Sequence, residues 1–186
     1  MNVQPSLRMD KAAFLAWNEA AQERCELAGG RVVMMANVSR AHAMLVMNLA
    51  SLLRSRLDRQ RWVVLAEFGL DAGLETLRYP DVVVDRAGGG EKDYAATAPV
   101  LLAEVLSPST AAIDLGDKAA EYLQIPSLLA YLVFSQDQPK AWVRVRGAGD
   151  FPAAPQVIVG NEAFIRVEAL QLELLLADIY AGVRTG

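Results

Sequence analysis

Apolar residues recur along this chain at two different spacings. Leu45, Leu49, Leu52 and Leu53 fall three and four apart, the period of one helix face, and Ser39 stands where an N-cap belongs. A helix from Ser39 to about residue 57 is predicted. Asp10 is placed to cap an earlier helix over residues 11–24, with Phe14, Leu15 and Trp17 turned inward. Segments 25–27 and 31–35 flank Gly29-Gly30, a hairpin signal. After residue 61 the helical period gives way to short apolar runs. Residues 62–68, 76–84, 100–106, 129–134, 141–146 and 164–167 read as strands. Ser107-Pro108-Ser109-Thr110 ends the third of these, 114–123 is helical up to Pro126, and 172–183 reads as a closing helix. Helices outside a mixed sheet make the class α/β, with the central strands covered on both faces. No linker separates one part from another, so residues 1–186 are expected to form one domain.

Composition narrows the function classes. The chain is 53% hydrophobic and 22% charged, the balance of a globular protein. No apolar stretch is long enough to span a membrane, and residues 1–6 lack a basic then apolar leader, so a cytoplasmic protein with no membrane partner is expected. One cysteine, Cys25, excludes an internal disulfide, and one histidine, His42, excludes a multi-histidine zinc site. Hard-metal chemistry must therefore rest on Asp and Glu oxygens. The net charge of −4 does not advertise a nucleic-acid binder. Yet 14 of the 18 bases are arginine, and Arg54, Arg56, Arg59 and Arg61 crowd one stretch. They either grip phosphates or complement a helix C-terminus. Trp17, Trp62 and Trp142 lie in apolar segments and read as core. Gly88-Gly89-Gly90 lacks the setting of a phosphate loop.

Two acids break the pattern. In Tyr79-Pro80-Asp81-Val82-Val83-Val84 an aspartate sits at the mouth of a strand built for burial, after a proline that belongs at a strand start. In Val100-Leu101-Leu102-Ala103-Glu104-Val105-Leu106, alternation puts Glu104 on one face with Val100, Leu102 and Leu106, where a carboxylate is costly unless compensated. Two such carboxylates suit one divalent cation. The residues equally allow Asp81 to cap a turn and Glu104 to pair with an arginine. Lys118 follows one helix later, either reaching back to Glu104 or pairing with Asp114 at i, i+4.

These blocks, with Asp114-x-x-x-Lys118-x-x-x-Tyr122, Ile125-Pro126-Ser127-Leu128-x-x-Tyr131, Glu26-Leu-x-x-Gly-x-Val and a Leu-x-Leu-x-Leu-x-x-Ile-Tyr ending, resemble the Uma-two family of restriction-endonuclease-like proteins. That family is placed in the PD-(D/E)XK nuclease superfamily, and the match spans residues 26–180. The resemblance implies a restriction-endonuclease-like core, a central mixed β-sheet flanked by helices. It implies a Mg²⁺ (or Mn²⁺) held by Asp81, Glu104 and the Val105 carbonyl. It makes Lys118 the catalytic lysine, supplied from the following helix because Leu106 occupies the usual place. Glu26 matches an early glutamate near the site, and His42 a histidine on the long helix. Relatives often carry a glutamate where this chain has Ala130.

The implied activity is metal-dependent endonucleolytic hydrolysis of DNA by a homodimer, with His42, Arg54 and Arg56 at the nucleic acid. Changing Glu104 or Lys118 to alanine is then expected to abolish Mg²⁺-dependent cutting with thermal stability intact or improved. The competing reading is a nuclease-fold binding module without catalysis. A small-molecule hydrolase has no nucleophile elbow to support it.

Overall fold

The computed structural model describes residues 7–35, 37–106 and 115–184. In chain order its elements are α1 (Lys11–Asn18), β1 (Cys25–Ala28), β2 (Arg31–Met34), α2 (Arg40–Arg56), β3 (Trp62–Ala66), β4 (Gly69–Gly73), β5 (Thr76–Arg78), β6 (Val82–Arg86), β7 (Ala95–Ala96), β8 (Leu101–Val105), α3 (Asp117–Tyr122), β9 (Ala130–Phe134), β10 (Lys140–Val145), β11 (Gln156–Val159), β12 (Phe164–Val167), β13 (Leu172–Leu175) and α4 (Leu176–Ile179). The break at residues 107–110, and Asp114, lie outside the described residues.

The strands form a six-stranded sheet in the order β11-β10-β9-β8-β6-β3, a five-stranded sheet β2-β1-β5-β4-β7, and the hairpin β12-β13. The six-stranded sheet is mixed. Strand β8 runs antiparallel to β6 and parallel to β9, from Leu101↔Ala130 to Val105↔Phe134. A parallel pair needs a crossover, and here it carries α3 onto one face of the sheet. On that face Ala119 and Tyr122 pack with Val83, Leu102, Leu106, Tyr131 and Val133. The opposite face is covered by α2, whose buried stripe Leu45, Leu49 and Leu53 meets Val82, Val84, Leu101, Ala103 and Val105. Ile165, Val167, Leu172 and Leu174 of the β12-β13 hairpin complete that core. The central strands are thus apolar on both faces, as their unbroken runs require.

Several elements depart from the sequence reading. Helix α1 stops at Asn18, where residues 19–24 offer no apolar side chain larger than alanine to bury beyond it. The run 76–84 is two strands: β5 belongs to the smaller sheet and β6 to the larger, and Tyr79-Pro80-Asp81 carries the chain between them. The segment 172–183 begins as strand β13 paired with β12, leaving only the short α4 helical. Val100 turns to the α2 face, away from Leu102 and Leu106, because it precedes the pleat of β8.

Candidate active site

The crossing between the two sheets places the acids. Asp81 is the last residue before β6, and Glu104 is the fourth of five residues in the neighbouring β8. Asp81 Oδ2 accepts the backbone N–H of Val105 at 2.7 Å, so the aspartate lies against the residue that follows Glu104. Its other oxygen, Oδ1, accepts from His42 Nε2 at 3.0 Å. His42 gets there by helix periodicity: it opens the same buried stripe that continues through Leu45, Leu49 and Leu53. Ser39 fixes the start of that helix by accepting the His42 N–H at 3.0 Å.

Glu104 points to the α3 face. Its Oε1 accepts from Lys118 Nζ at 3.0 Å and from the Tyr122 hydroxyl at 3.1 Å. Lys118 and Tyr122 are four apart on α3 and so lie on one side of the helix. Burial, and after it the charge of Glu104, holds the Tyr122 hydroxyl well above the usual tyrosine range, which keeps it a neutral donor. The lysine therefore reaches the strand acid, as the resemblance implies, and each acid already has a cationic or hydrogen-bonding partner.

A second buried cluster adjoins the first. Arg78, at the end of β5, donates from Nη1 to Glu26 Oε1 at 2.6 Å and clasps Glu121 in a fork, Nε–Oε2 2.8 Å and Nη2–Oε1 2.7 Å. Burial opposes the Arg78 charge, but the Glu121 hydrogen bonds and the charges of Glu26 and Glu121 outweigh it and raise its pKa. Both Glu26 and Arg78 bear electrostatically on Tyr122, which is the seam between the clusters. Glu26, His42, Arg78, Asp81, Glu104 and Lys118 are each at most 8% exposed. Arg78 and Tyr122 were missed from the sequence as site residues. An arginine in a three-residue strand carries no signal, whereas Tyr122, four after Lys118, could have been found from helix spacing.

The arginine stretch does not act as one patch. Residues 54 and 56 are two apart on a helix and face different ways. Arg56 donates to the Glu173 carbonyl and to Asp178 Oδ2 at 3.2 Å, bracing the C-terminal hairpin. Arg61 lies over Trp62, 5.3 Å from the ring centre, and Arg59 Nε donates to the Arg54 carbonyl.

The donor set decides whether a hard dication fits. Among the described residues no three His, Cys, Asp or Glu side chains group closely enough to hold a metal by themselves. Mg²⁺ is commonly held by one or two carboxylates with water completing the shell, and Asp81, Glu104 and the adjoining backbone are oxygen donors of that kind. In the adjoining cluster Glu26 Oε2 is a buried acceptor with no hydrogen-bond partner, which a water or cation there would satisfy. The residues fit such an ion.

Two uncharacterised proteins of Synechocystis sp. (strain ATCC 27184 / PCC 6803 / Kazusa) are similar to this chain. One, sll1609, is 35% identical over 130 residues, covering 67% of this chain and 73% of its own length. The other, slr1290, is 31% identical over 134 residues, covering 70% of each. The fold is similar to the crystal structure of "a putative nuclease belonging to DUF820" from Anabaena variabilis ATCC 29413, with a TM-score of 0.74 at 16% identity over 97% of this chain and 100% of that one. The Uma2 family model, described as "Putative restriction endonuclease", matches residues 12–177. With that match covering most of the described fold and its buried acids, the chain belongs to the Uma2 family.

Proposed function

We propose that the chain is a metal-dependent endonuclease that hydrolyses DNA phosphodiester bonds. The observation that carries this reading is that two buried acids stand on neighbouring strands of an apolar sheet, Asp81 on the amide of Val105 and Glu104, one residue before it, on Lys118. A buried ion pair is a poor device for stability alone, so its placement here needs another reason. Asp81, Glu104 and the Val105 carbonyl would hold Mg²⁺ or Mn²⁺. When bound, such an ion lowers the pKa of a water and neutralises phosphate charge.

The chain's own residues supply the rest. Lys118 Nζ, released from Glu104, orients the attacking water or screens the charge that builds on the phosphate. Tyr122 holds Glu104 by its hydroxyl while the lysine is away. Arg78 fixes one oxygen of Glu26 and leaves the other bare to take a proton or orient a water. His42 sets the rotamer of Asp81. Duplex cleavage by this scheme uses one site per strand, hence two copies of the chain.

A second reading, a binding module without catalysis, is favoured by one observation: both oxygens of Asp81 are already engaged, by His42 and Val105. Calorimetry with Mn²⁺ and a plasmid-nicking assay with and without chelator separate the two. On the nuclease reading the chain binds Mn²⁺ and nicks DNA, and Glu104→Gln loses both. Absence of both supports the binding module and removes the metal site, and Mn²⁺ binding without nicking keeps the metal site but overturns cleavage.

A further inference from the structure

A cleft of about 510 Å³ lies away from the acids, within the roughly 300–1,000 Å³ range of small-molecule sites. It runs beside β3 and is bounded by the end of α2 and by the loop after β6. Asp85, one of its lining residues, is four residues along β6 from Asp81, or ~13 Å at the rise of a strand.

Four consecutive residues, Trp62 to Leu65, line it. Alternate side chains of a strand point to opposite faces, so the cleft follows the strand's edge, and β3 is the outermost strand of its sheet. The register settles which backbone groups face outward. Ala87 donates to Arg61 and Glu67 to Asp81, which makes residues 61, 63, 65 and 67 the ones bonded toward β6. Val64 therefore turns its N–H and C=O to the cleft, a donor beside an acceptor, the pattern carried along the rim of a nucleobase. Trp62 and Phe68, both partly buried, add flat apolar surface.

The cleft is lined by three arginines and three acids, and the two kinds are not paired with each other. Asp85 is spent on the backbone N–H groups of Arg86, Thr97 and Ala98, at 2.8, 3.2 and 3.1 Å. Asp93 accepts the Gly90 N–H at 2.7 Å. Arg54, Arg59 and Arg86 line the same cleft and, among the described residues, form no ion pair, leaving Glu91 as the lining carboxylate without a hydrogen bond. Guanidinium groups of this kind suit a phosphate.

We propose that this cleft is a second ligand site that takes a nucleoside monophosphate unit, its base along the Val64 edge beside Trp62 and Phe68, and its phosphate among Arg54, Arg59 and Arg86. The unit comes either as a free nucleotide or as one residue of a single strand. The site is independent of the nuclease reading.

The test uses the full chain in chelator, with calorimetry and tryptophan fluorescence. The probes are adenosine 5′-monophosphate, adenosine, inorganic phosphate and a short single-stranded oligodeoxynucleotide. The monophosphate is expected to bind saturably with Kd below ~1 mM. Adenosine and phosphate should each bind at least ~tenfold more weakly, and the exposed double variant Arg54→Gln/Arg86→Gln should lose ~tenfold or more. An oligonucleotide that binds far more tightly than the monophosphate and is displaced by it identifies a strand as the source; equal affinities identify the free nucleotide. Phosphate binding as tightly as the monophosphate, a double variant that binds as well as the parent, or no saturable binding of any probe overturns the proposal. Glu104→Gln should keep this binding whatever becomes of Mn²⁺ binding and nicking, so failure here and failure of the nuclease reading are distinguishable.

Discussion

Lys118 and Glu104 form a buried pair whose energetics run against the expectation that either can be removed with stability kept. Taking away the lysine leaves a carboxylate buried beside Leu102 and Leu106 with its ammonium gone. Breaking such a pair from one side costs about 3 kcal/mol or more, whereas replacing both partners by neutral groups of similar shape is close to neutral. Lys118→Ala is therefore expected to lower stability by about 3 kcal/mol, and the double variant Lys118→Met/Glu104→Gln to stay within ~1 kcal/mol of the parent. Urea denaturation of the three proteins checks this. Equal stability of the parent and Lys118→Ala would show that the pair does not hold in solution. Loss of activity in Lys118→Ala therefore supports a catalytic lysine only when nicking is measured under conditions where the variant is still folded.

Strand β4 pairs with the two-residue β7 at a very close approach. A Cβ on Gly69 would stand 2.0 Å from the Tyr94 carbonyl oxygen, inside any allowed contact. Gly69→Ala should part these strands at a cost of about 1–3 kcal/mol and open the chain near Tyr94 to limited proteolysis; an unchanged cleavage pattern would contradict the pairing. The same glycines explain why β4 was invisible in the sequence. Gly69 and Gly73 at its ends carry no strand propensity, so nothing marked it. By contrast, the β1-β2 hairpin was legible from Gly29-Gly30, and α2 from Ser39 and its leucine stripe, because each is specified locally. Tyr79-Pro80-Asp81 shows the limit: proline announced a strand start, but a change of sheet depends on partners far away in the chain. At the candidate site, Asp81, Glu104 and Lys118 were readable from their setting and motif. Arg78 was not, because its burial comes from Glu26 and Glu121, 52 and 43 residues away.

At the scale of the whole molecule, Tyr180 ties the C-terminal segment to the large sheet. Its hydroxyl donates to Ser135 O at 2.6 Å, with Lys140 O at 3.0 Å as the alternative acceptor. Burial pushes its pKa up to about 12 against the opposing effect of the backbone hydrogen bonds. The sign follows from linkage. An unfolded tyrosine releases its proton near pH 10, while the folded one keeps it to about 12, so the stabilisation is complete below pH 10 and is lost as pH rises through 12. The two units correspond to about 3 kcal/mol. Denaturation midpoints should fall across this window in the parent, and fall less in Tyr180→Phe, which starts lower because it lacks the hydrogen bond. Parallel profiles would count against the tether. One further consequence lies in Val105, whose amide is bonded to a carboxylate instead of to a neighbouring strand. Its hydrogen is expected to trade with deuterated solvent when Asp81 swings aside, without the sheet coming apart. That single proton would then serve as a clock for the opening of the acid, faster than the amides bonded within the sheet.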